Sequence, residues 1–380
     1  MKHTNEILES FLTENYSFQY NQINNRLFYK PKLDLEYSEV KEFDINSILR
    51  EIKSVGFSKV KKIELLEILN SNYTKTYNPF QSYFNSLTKW KLGDTDYIQQ
   101  LTNTVLVADQ EQDNWNKWFK KWIVASVGCA IVDDVVNQTN LIFSGAQGVG
   151  KTTWLMKLVP KSLKDFYYSG TINLNNKDSE IMLAENFLIC LDELGSMSKR
   201  NISAFKEIIT KPKVKLRRPY AVCPEMMPRR ASFVSTINTK EFLLDHTGNR
   251  RYLPFEAIQI DNNHLIDLDN VYAQALYLFE NGFQYWFDDN EIKEVAKHNM
   301  NYTEISVEKE ILESIFEPCL GIDKPDFELE TENLLEHIYA KSNLAKRLSA
   351  KSLGQALNKM NWPKRKTMGR RYWLLNEIKH

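Results

Sequence analysis

The run Gly145-Ala146-Gln147-Gly148-Val149-Gly150-Lys151-Thr152 constrains the fold of this chain more than any other feature, because it places three of only 13 glycines within six positions. It matches the pattern GxxxxGK[ST] at every fixed position, follows the apolar strand run Leu141-Ile142-Phe143 and opens the helical stretch TTWLMKLV. Glycines let successive backbone N–H groups curl round an anion, and the N-terminus of the following helix adds partial positive charge. The anion this arrangement suits is a nucleotide phosphate. Residues Gly145 to Thr153 would cradle ATP, Lys151 would reach its β- and γ-phosphates, and the Thr152 hydroxyl would bind Mg²⁺.

A second carboxylate site has to accompany such a loop if the bound nucleotide is to be hydrolysed. The run FLICLDELGS (187–196) supplies one, an apolar strand ending in Asp192-Glu193. Asp192 would hold the Mg²⁺ and Glu193 would polarise the attacking water as general base. A further β-branched strand, ASFVSTIN (231–238), ends in Asn238, which would contact both γ-phosphate and water. In TGNRRYLPF, Arg250 and Arg251 stand on a turn before another apolar strand. They are either solvated surface or a finger completing a neighbouring subunit's site.

The 380 residues imply more than one core. Hydrophobic residues at 43% and charged residues at 26% are ordinary for a globular chain, and zero formal net charge leaves any nucleic-acid affinity to local basic patches. The cysteines Cys129, Cys190, Cys223 and Cys319 form no CxxC pair, which argues against a zinc site or a disulfide framework and fits a reducing cytosol. The polar start MKHTNEILESF has no signal-peptide pattern, and the apolar run WIVASVGCAIV falls short of the ~20 residues a bilayer requires. The expectation is a cytoplasmic protein with no membrane partner.

Along the chain, YSFQYNQINNRLFYK is aromatic and SILREIKSVGF helical, and Asn78-Pro79 marks a turn before an amphipathic helix bearing Phe80, Tyr83, Phe84 and Leu87. A long helix is expected from Trp115 to Val136, alternating strands and helices to about 256, and mainly helix over 262–320. The expected organisation is an N-terminal α+β or helical region over 1–110, the ATPase domain over 111–260, a helical segment over 261–325 and a basic winged-helix-like domain over 326–380.

The motifs FSGAQGVGKTTW, FLICLDELGS, FVSTIN and TGNRRYLPF, in this order and with YNPFQSYFNSL upstream, resemble the virulence-associated E (VirE/VapE-like) family of phage and mobile-element proteins. That family is related to superfamily 3 helicases within the AAA+ group. The resemblance spans residues 75–290 and is looser at both ends. It implies an α/β P-loop NTPase core with a parallel sheet, a helical N-terminal region and a C-terminal winged helix. It also implies an ATPase working as a homo-oligomeric ring, commonly hexameric, that moves or opens DNA alongside a primase. Lys151 and Thr152 would bind phosphate and magnesium, Asp192 and Glu193 metal and water, Asn238 would be the sensor, and Arg250 or Arg251 the finger. Many relatives carry a primase or zinc domain upstream, but residues 1–110 here contain no cysteine, which points to a separate primase. An NTPase switch in regulation or defence, without unwinding, is the competing reading.

Two basic stretches are the expected DNA contacts. Lys211, Lys213, Lys215, Arg217 and Arg218 alternate with Pro212, Val214 and Leu216, which gives a hairpin with one basic face. In the helicases this chain resembles, such a hairpin tracks single-stranded phosphates in the ring's pore; otherwise it is a lysine-protected edge strand. In the tail, SAKSLGQALNKM has a serine N-cap and helical periodicity, and KRKTMGRRYWLL has the form of a two-stranded wing around Gly369. The helix would enter the major groove of duplex DNA while Lys364, Arg365, Lys366, Arg370 and Arg371 hold phosphates.

Overall fold

A computed structural model shows a mixed α/β protein. It describes residues 2–108, 110–172, 177–192, 199–216, 223–243, 249–303, 307–319, 324–341, 348–367 and 369–378. Two compact units emerge, Met1–Lys240 with Asp245–Asn301, and Glu241–Leu244 with Tyr302–His380.

The first unit begins with α1 (Lys2–Asn15), β1 (Tyr16–Asn21), β2 (Arg26–Pro31), β3 (Ser38–Glu39), α2 (Glu42–Ser54), α3 (Lys62–Leu69) and β4 (Lys75–Tyr77). The strands form a sheet in the order β3-β2-β1-β4. Of the two alternatives expected for this region, α+β or helical, the helical one is corrected, because its helices pack on a four-stranded sheet. Alternation explains the strands: Tyr16 and Phe18 point into the core that Ile45, Ile48 and Ile52 of α2 complete. Asn25, at φ 55°, turns the chain between β1 and β2. The β1–β4 pair is parallel, joining Gln19 to Lys75, a partnership with no local sequence signal.

There follow α4 (Pro79–Ser86), α5 (Tyr97–Thr102), β5 (Val105–Val107), α6 (Gln112–Ile131), β6 (Asn140–Ser144), α7 (Lys151–Met156), β7 (Tyr167–Gly170), α8 (Lys177–Glu185), β8 (Leu188–Leu191) and α9 (Lys199–Ile208). Then come β9 (Lys213–Leu216), β10 (Glu225–Pro228), β11 (Ser232–Thr236), β12 (Tyr252–Ile260), α10 (Leu268–Glu280) and α11 (Asp289–Asn299). Six strands form one sheet in the order β5-β12-β6-β11-β8-β7. All neighbours in it are parallel except β5 and β12. The Asn78 side chain caps α4 as its turn signal implied, accepting from Phe80 N at 3.0 Å.

Helix α6 is buried on nearly all sides, with Trp115, Trp118, Phe119, Trp122 and Ile123 inaccessible, so it lies within the core. It stops at Ile131, short of the expected Val136, and Val132 is extended. The two acids just beyond are used elsewhere. Asp133 pairs with Arg230 and Asp134 with Lys213 of β9.

The second unit comprises α12 (Val307–Ile315), β13 (Phe316–Pro318), β14 (Phe327–Leu329), α13 (Thr331–Lys341), α14 (Ala350–Lys359), β15 (Lys364–Thr367) and β16 (Arg370–Glu377). Strand β16 pairs antiparallel with β13, β14 and β15. Ser349 caps α14, and Gly369 at φ 83° makes the β15–β16 turn. Leu353, Leu357, Trp362, Trp373 and Leu375 form this unit's own core with Leu334 and Ile338. Among the described residues no helix is long and apolar enough to cross a membrane.

Arg229 is the one arginine among the largest fully buried side chains of the described structure. Its guanidinium donates to the carbonyls of Ala231 and Asn137, each at 2.9 Å, and to that of Ile209, and lies over the Phe233 ring at 5.0 Å. Burial pushes its pKa below the ordinary arginine value. Arg229→Met should lower unfolding stability by about 3 kcal/mol or more, because several carbonyls lose a charged donor. Urea titration checks this, and Arg229→Lys should recover little, since an ammonium cannot reproduce the planar fork.

Candidate functional site: a glycine loop beside a carboxylate and an asparagine

The parallel sheet brings the chemistry-bearing segments to one edge. β6, β8 and β11 all run the same way, with Phe143 beside Thr236 and Leu191 beside Ser235. The loop after β6, Asp192 after β8 and Asn238 after β11 therefore emerge together at the strands' carboxyl ends. The loop turns through left-handed glycines, Gly148 at φ 90° and Gly150 at φ 95°. At Gly145, φ is 121° and a β-carbon would sit 2.8 Å from the Ala257 carbonyl oxygen, so only glycine passes between the strands. Ala146, Gln147 and Gly148 are exposed at its tip, Val149 is half-buried, and Thr153 is exposed in the first turn of α7.

Lys151 is only 6% exposed and folds back over this loop. Its ammonium donates to the carbonyls of Gly145 at 2.6 Å and Ala146 at 2.8 Å, and lies 3.5 Å from Asn238 Oδ1. Burial lowers its pKa from the ordinary lysine value. Asp192 collects hydroxyls from three elements: Ser169 of β7 donates at 2.9 Å, Thr236 of β11 at 3.2 Å and Thr152 of α7 at 3.4 Å. Glu193 lies outside the described residues. The contacts of Ser169 and Thr236 were not foreseen from the sequence. Neither was Asn262, whose Nδ2 donates to the Gly150 carbonyl at 3.2 Å while its buried Oδ1 has no hydrogen-bond partner. The only sequence signal for Ser169 and Thr236 is a hydroxyl residue near a strand's carboxyl end, which is common.

The donor set suits a small hard cation. Thr152 Oγ1 and Asp192 Oδ1 are two oxygen donors close enough to share one ion, and a single carboxylate plus a hydroxyl is the sparse set with which Mg²⁺ completes its shell from substrate and water. No cluster of three or more His, Cys, Asp or Glu that would serve as a protein-only metal cage occurs among the described residues.

Arg250 and Arg251 stand at the other edge. They precede β12, whose Tyr252 lies beside Asn140 at the start of β6 and whose Glu256 lies beside Ser144 at its end. The length of β6 at ~3.3 Å per residue puts them roughly 15 Å from the loop. They line a cavity of about 500 Å³ with Asp134, Thr210, Tyr285 and Trp286, and Arg251 Nε is buried there without a hydrogen-bond partner.

Residues 84–304 match the family model of the virulence-associated protein E-like domain. The chain belongs to this family. Two solved apo structures of the NrS-1 C-terminal region also align with it. One has a TM-score of 0.49 at 14% identity and the other 0.47 at 12%, each covering 97% of this chain and 98% of its own. No curated protein matches the chain.

Within the VapE-like match, the expected basic hairpin is present: β9 pairs antiparallel with β10, Met226 opposite Lys215 and Met227 opposite Val214. Val214 is buried while Lys213 and Lys215 are exposed, the alternation read from the sequence. Lys213 pairs with Asp134 at 2.9 Å and Lys211 with Glu180. Arg217 and Arg218 lie outside the described residues. Beyond the match, Arg365 pairs with Glu328 at 2.7 Å and Arg370 with Glu330 at 3.1 Å, while Lys364 sits over the Trp373 ring. Lys366 and Arg371 stand directly opposite one another on β15 and β16.

Cys190 precedes Asp192 by two residues in β8, and burial, with Asp192 adding, pushes its thiol up to about 12. It therefore stays protonated at neutral and mildly alkaline pH and supplies no nucleophile. A disulfide reagent at pH 8 should label Cys223, which is exposed, rapidly, and Cys129, Cys190 and Cys319 only on unfolding. Fast labelling of a second thiol in the folded protein would contradict this arrangement.

Proposed function

We propose that this VapE-like chain is a P-loop ATPase of AAA+ type that drives DNA unwinding or translocation in the replication of a phage or mobile element, beside a separate primase. One observation carries the reading: Lys151, Thr152, Asp192 and Asn238 meet at the carboxyl edge of a parallel sheet, around a glycine loop that exposes its tip. The order of the sheet places Asn238 between the loop strand and the carboxylate strand, within reach of Lys151.

In this reading, backbone N–H groups of residues 145–153 hold the triphosphate, and Lys151 exchanges the loop carbonyls for β- and γ-oxygens. Thr152 and Asp192 would hold Mg²⁺, which when bound neutralises charge on the phosphates. Asn238 orients the γ-phosphate and the attacking water, and Glu193 takes the water's proton. Arg250 and Arg251, too far away to serve their own loop, complete the site of the next subunit in a hexameric ring. The second unit, with α13, α14 and the β15–β16 hairpin, is read as a winged helix that holds duplex DNA, and the β9–β10 hairpin as the element that grips a single strand.

The competing reading, an NTPase switch that does not unwind, draws on one observation: Lys211 and Lys213 already have carboxylate partners within the protein. Stimulation of hydrolysis by single-stranded DNA decides between them. A switch would show none, and neutralising Lys213 and Lys215 would leave its turnover unchanged.

Lys151→Ala should abolish tight Mg-ATP binding, whereas Glu193→Gln should bind normally and lose ~10²–10⁴-fold in turnover. Wild-type turnover in Glu193→Gln would remove that residue from its role. Burial lowers the Lys151 pKa in the free protein and a bound phosphate would raise it, so the cationic form is the one that binds. Nucleotide affinity should therefore be full below the lowered pKa and fall as pH rises through it, as isothermal titration across alkaline pH would show. An Arg250→Ala, Arg251→Ala double variant should bind ATP without hydrolysing it, and regain activity when mixed with Glu193→Gln protein. No recovery in exchanging mixtures would count against a shared site.

A further inference from the structure

Two cations near the tip of the β15–β16 hairpin, Lys366 and Arg371, differ from the others around them. Alternation along β16 divides its side chains between two faces. One face carries Trp373 and Leu375 into the core and continues outward as Arg371, with Lys364 and Lys366 beside it on β15. The other carries Arg370 and Tyr372, with Arg365 opposite Tyr372. On that second face each arginine already has an acid, Glu328 for Arg365 and Glu330 for Arg370. A phosphate arriving there would meet two carboxylates, so Arg365 and Arg370, expected from the sequence to hold phosphates, are left out of the proposed contact.

On the core-side face Lys364 is also engaged, donating to Asn358 Oδ1 of α14 at 2.6 Å and lying 5.4 Å from the centre of the Trp373 ring. Lys366 and Arg371 have no carboxylate partner among the described residues, and both are exposed. They are nevertheless direct cross-strand partners, and like charges in that position, with Cβ atoms about 5 Å apart, destabilise a hairpin. A tip that keeps two facing cations is suited to an anion lying between them. The same side of the unit presents the exposed polar stripe of α14, with Lys351, Gln355 and Asn358 at helical spacing, tied to this face by the Lys364–Asn358 hydrogen bond.

We propose that Lys366 and Arg371 form a two-cation clamp on a backbone phosphate of duplex DNA, with the Lys351–Gln355–Asn358 stripe of α14 set against the adjoining groove, while Arg365 and Arg370 brace the hairpin against β14. This rests on reading the second unit as a duplex-binding module, and narrows it to one face and two residues.

The test uses the full chain and a short, fluorescently labelled mixed-sequence duplex, with anisotropy read across a salt series. Lys366→Ala with Arg371→Ala should reduce the magnitude of the log K against log[salt] slope by about 0.9 for each phosphate that is no longer neutralised. Arg365→Ala with Arg370→Ala should leave that slope unchanged. Lys366→Glu supplies an independent readout, because it turns a like-charged cross-strand pair into an opposite-charged one. It should raise the urea midpoint while weakening duplex binding, a pairing of effects that a purely structural role does not produce. A slope lowered equally by both double substitutions, or undiminished duplex binding in Lys366→Glu, would overturn the clamp. If the unsubstituted chain binds no duplex, the DNA-binding reading of the unit itself falls, and the clamp with it.

Discussion

The parallel pairing of β11 with β6 on one side and β8 on the other is the constraint on which the site depends. A strand held between two parallel partners has no freedom to slip, because a one-residue shift would turn its whole set of side chains over. Phe233 and Val234 are both inaccessible, packed on opposite faces, so the cost of such a shift falls on both sides of the sheet. With that register fixed, Thr236 reaches Asp192 from one side and Asn238 approaches Lys151 on the other. Helix α6 reinforces the arrangement from below, since the Trp122 indole donates to the Phe233 carbonyl at 3.2 Å.

The sequence made the loop, its strand and its helix legible because glycine spacing, apolar runs and a Lys-Thr pair are local signals that point the same way. Asn238 stood out as a polar residue closing a β-branched run, and its sensor role came only from the family resemblance. Ser169, Thr236 and Asn262 were not legible, because each acts only through its place in a sheet whose strand order no local pattern encodes. The strand order of the N-terminal sheet was not legible, on similar grounds. Its β1–β4 pairing joins segments more than fifty residues apart, and the helical runs between them dominate the pattern. The early end of α6 was not legible either, because the run to Val136 stays apolar enough to continue a helix and the partners of Asp133 and Asp134 lie far along the chain.

Charge in this protein is balanced in total and divided by place. The formal net charge is zero, yet pairs such as Lys213–Asp134 and Arg365–Glu328 neutralise cations where they brace a hairpin, and leave others such as Lys366 exposed. Exposed ion pairs of this kind contribute little stability, about 0–1 kcal/mol each. Their larger effect is to decide which cations still attract anions. The buried guanidinium of Arg229 has a different part, satisfying carbonyls where α9, the residues before β6 and the start of β11 converge.

The position of Arg250 and Arg251 at the edge opposite the glycine loop has a consequence for symmetry. A contact that brings one copy's arginine edge to another copy's loop edge joins unlike surfaces, head to tail. Such a contact leaves a loop edge free at one end of the pair and an arginine edge free at the other. Repetition either closes the series into a ring or extends it as a helical filament, and the small rotation between successive copies decides which. In an assembly built through that contact, the direction of a single strand, β12, would set the polarity of the whole.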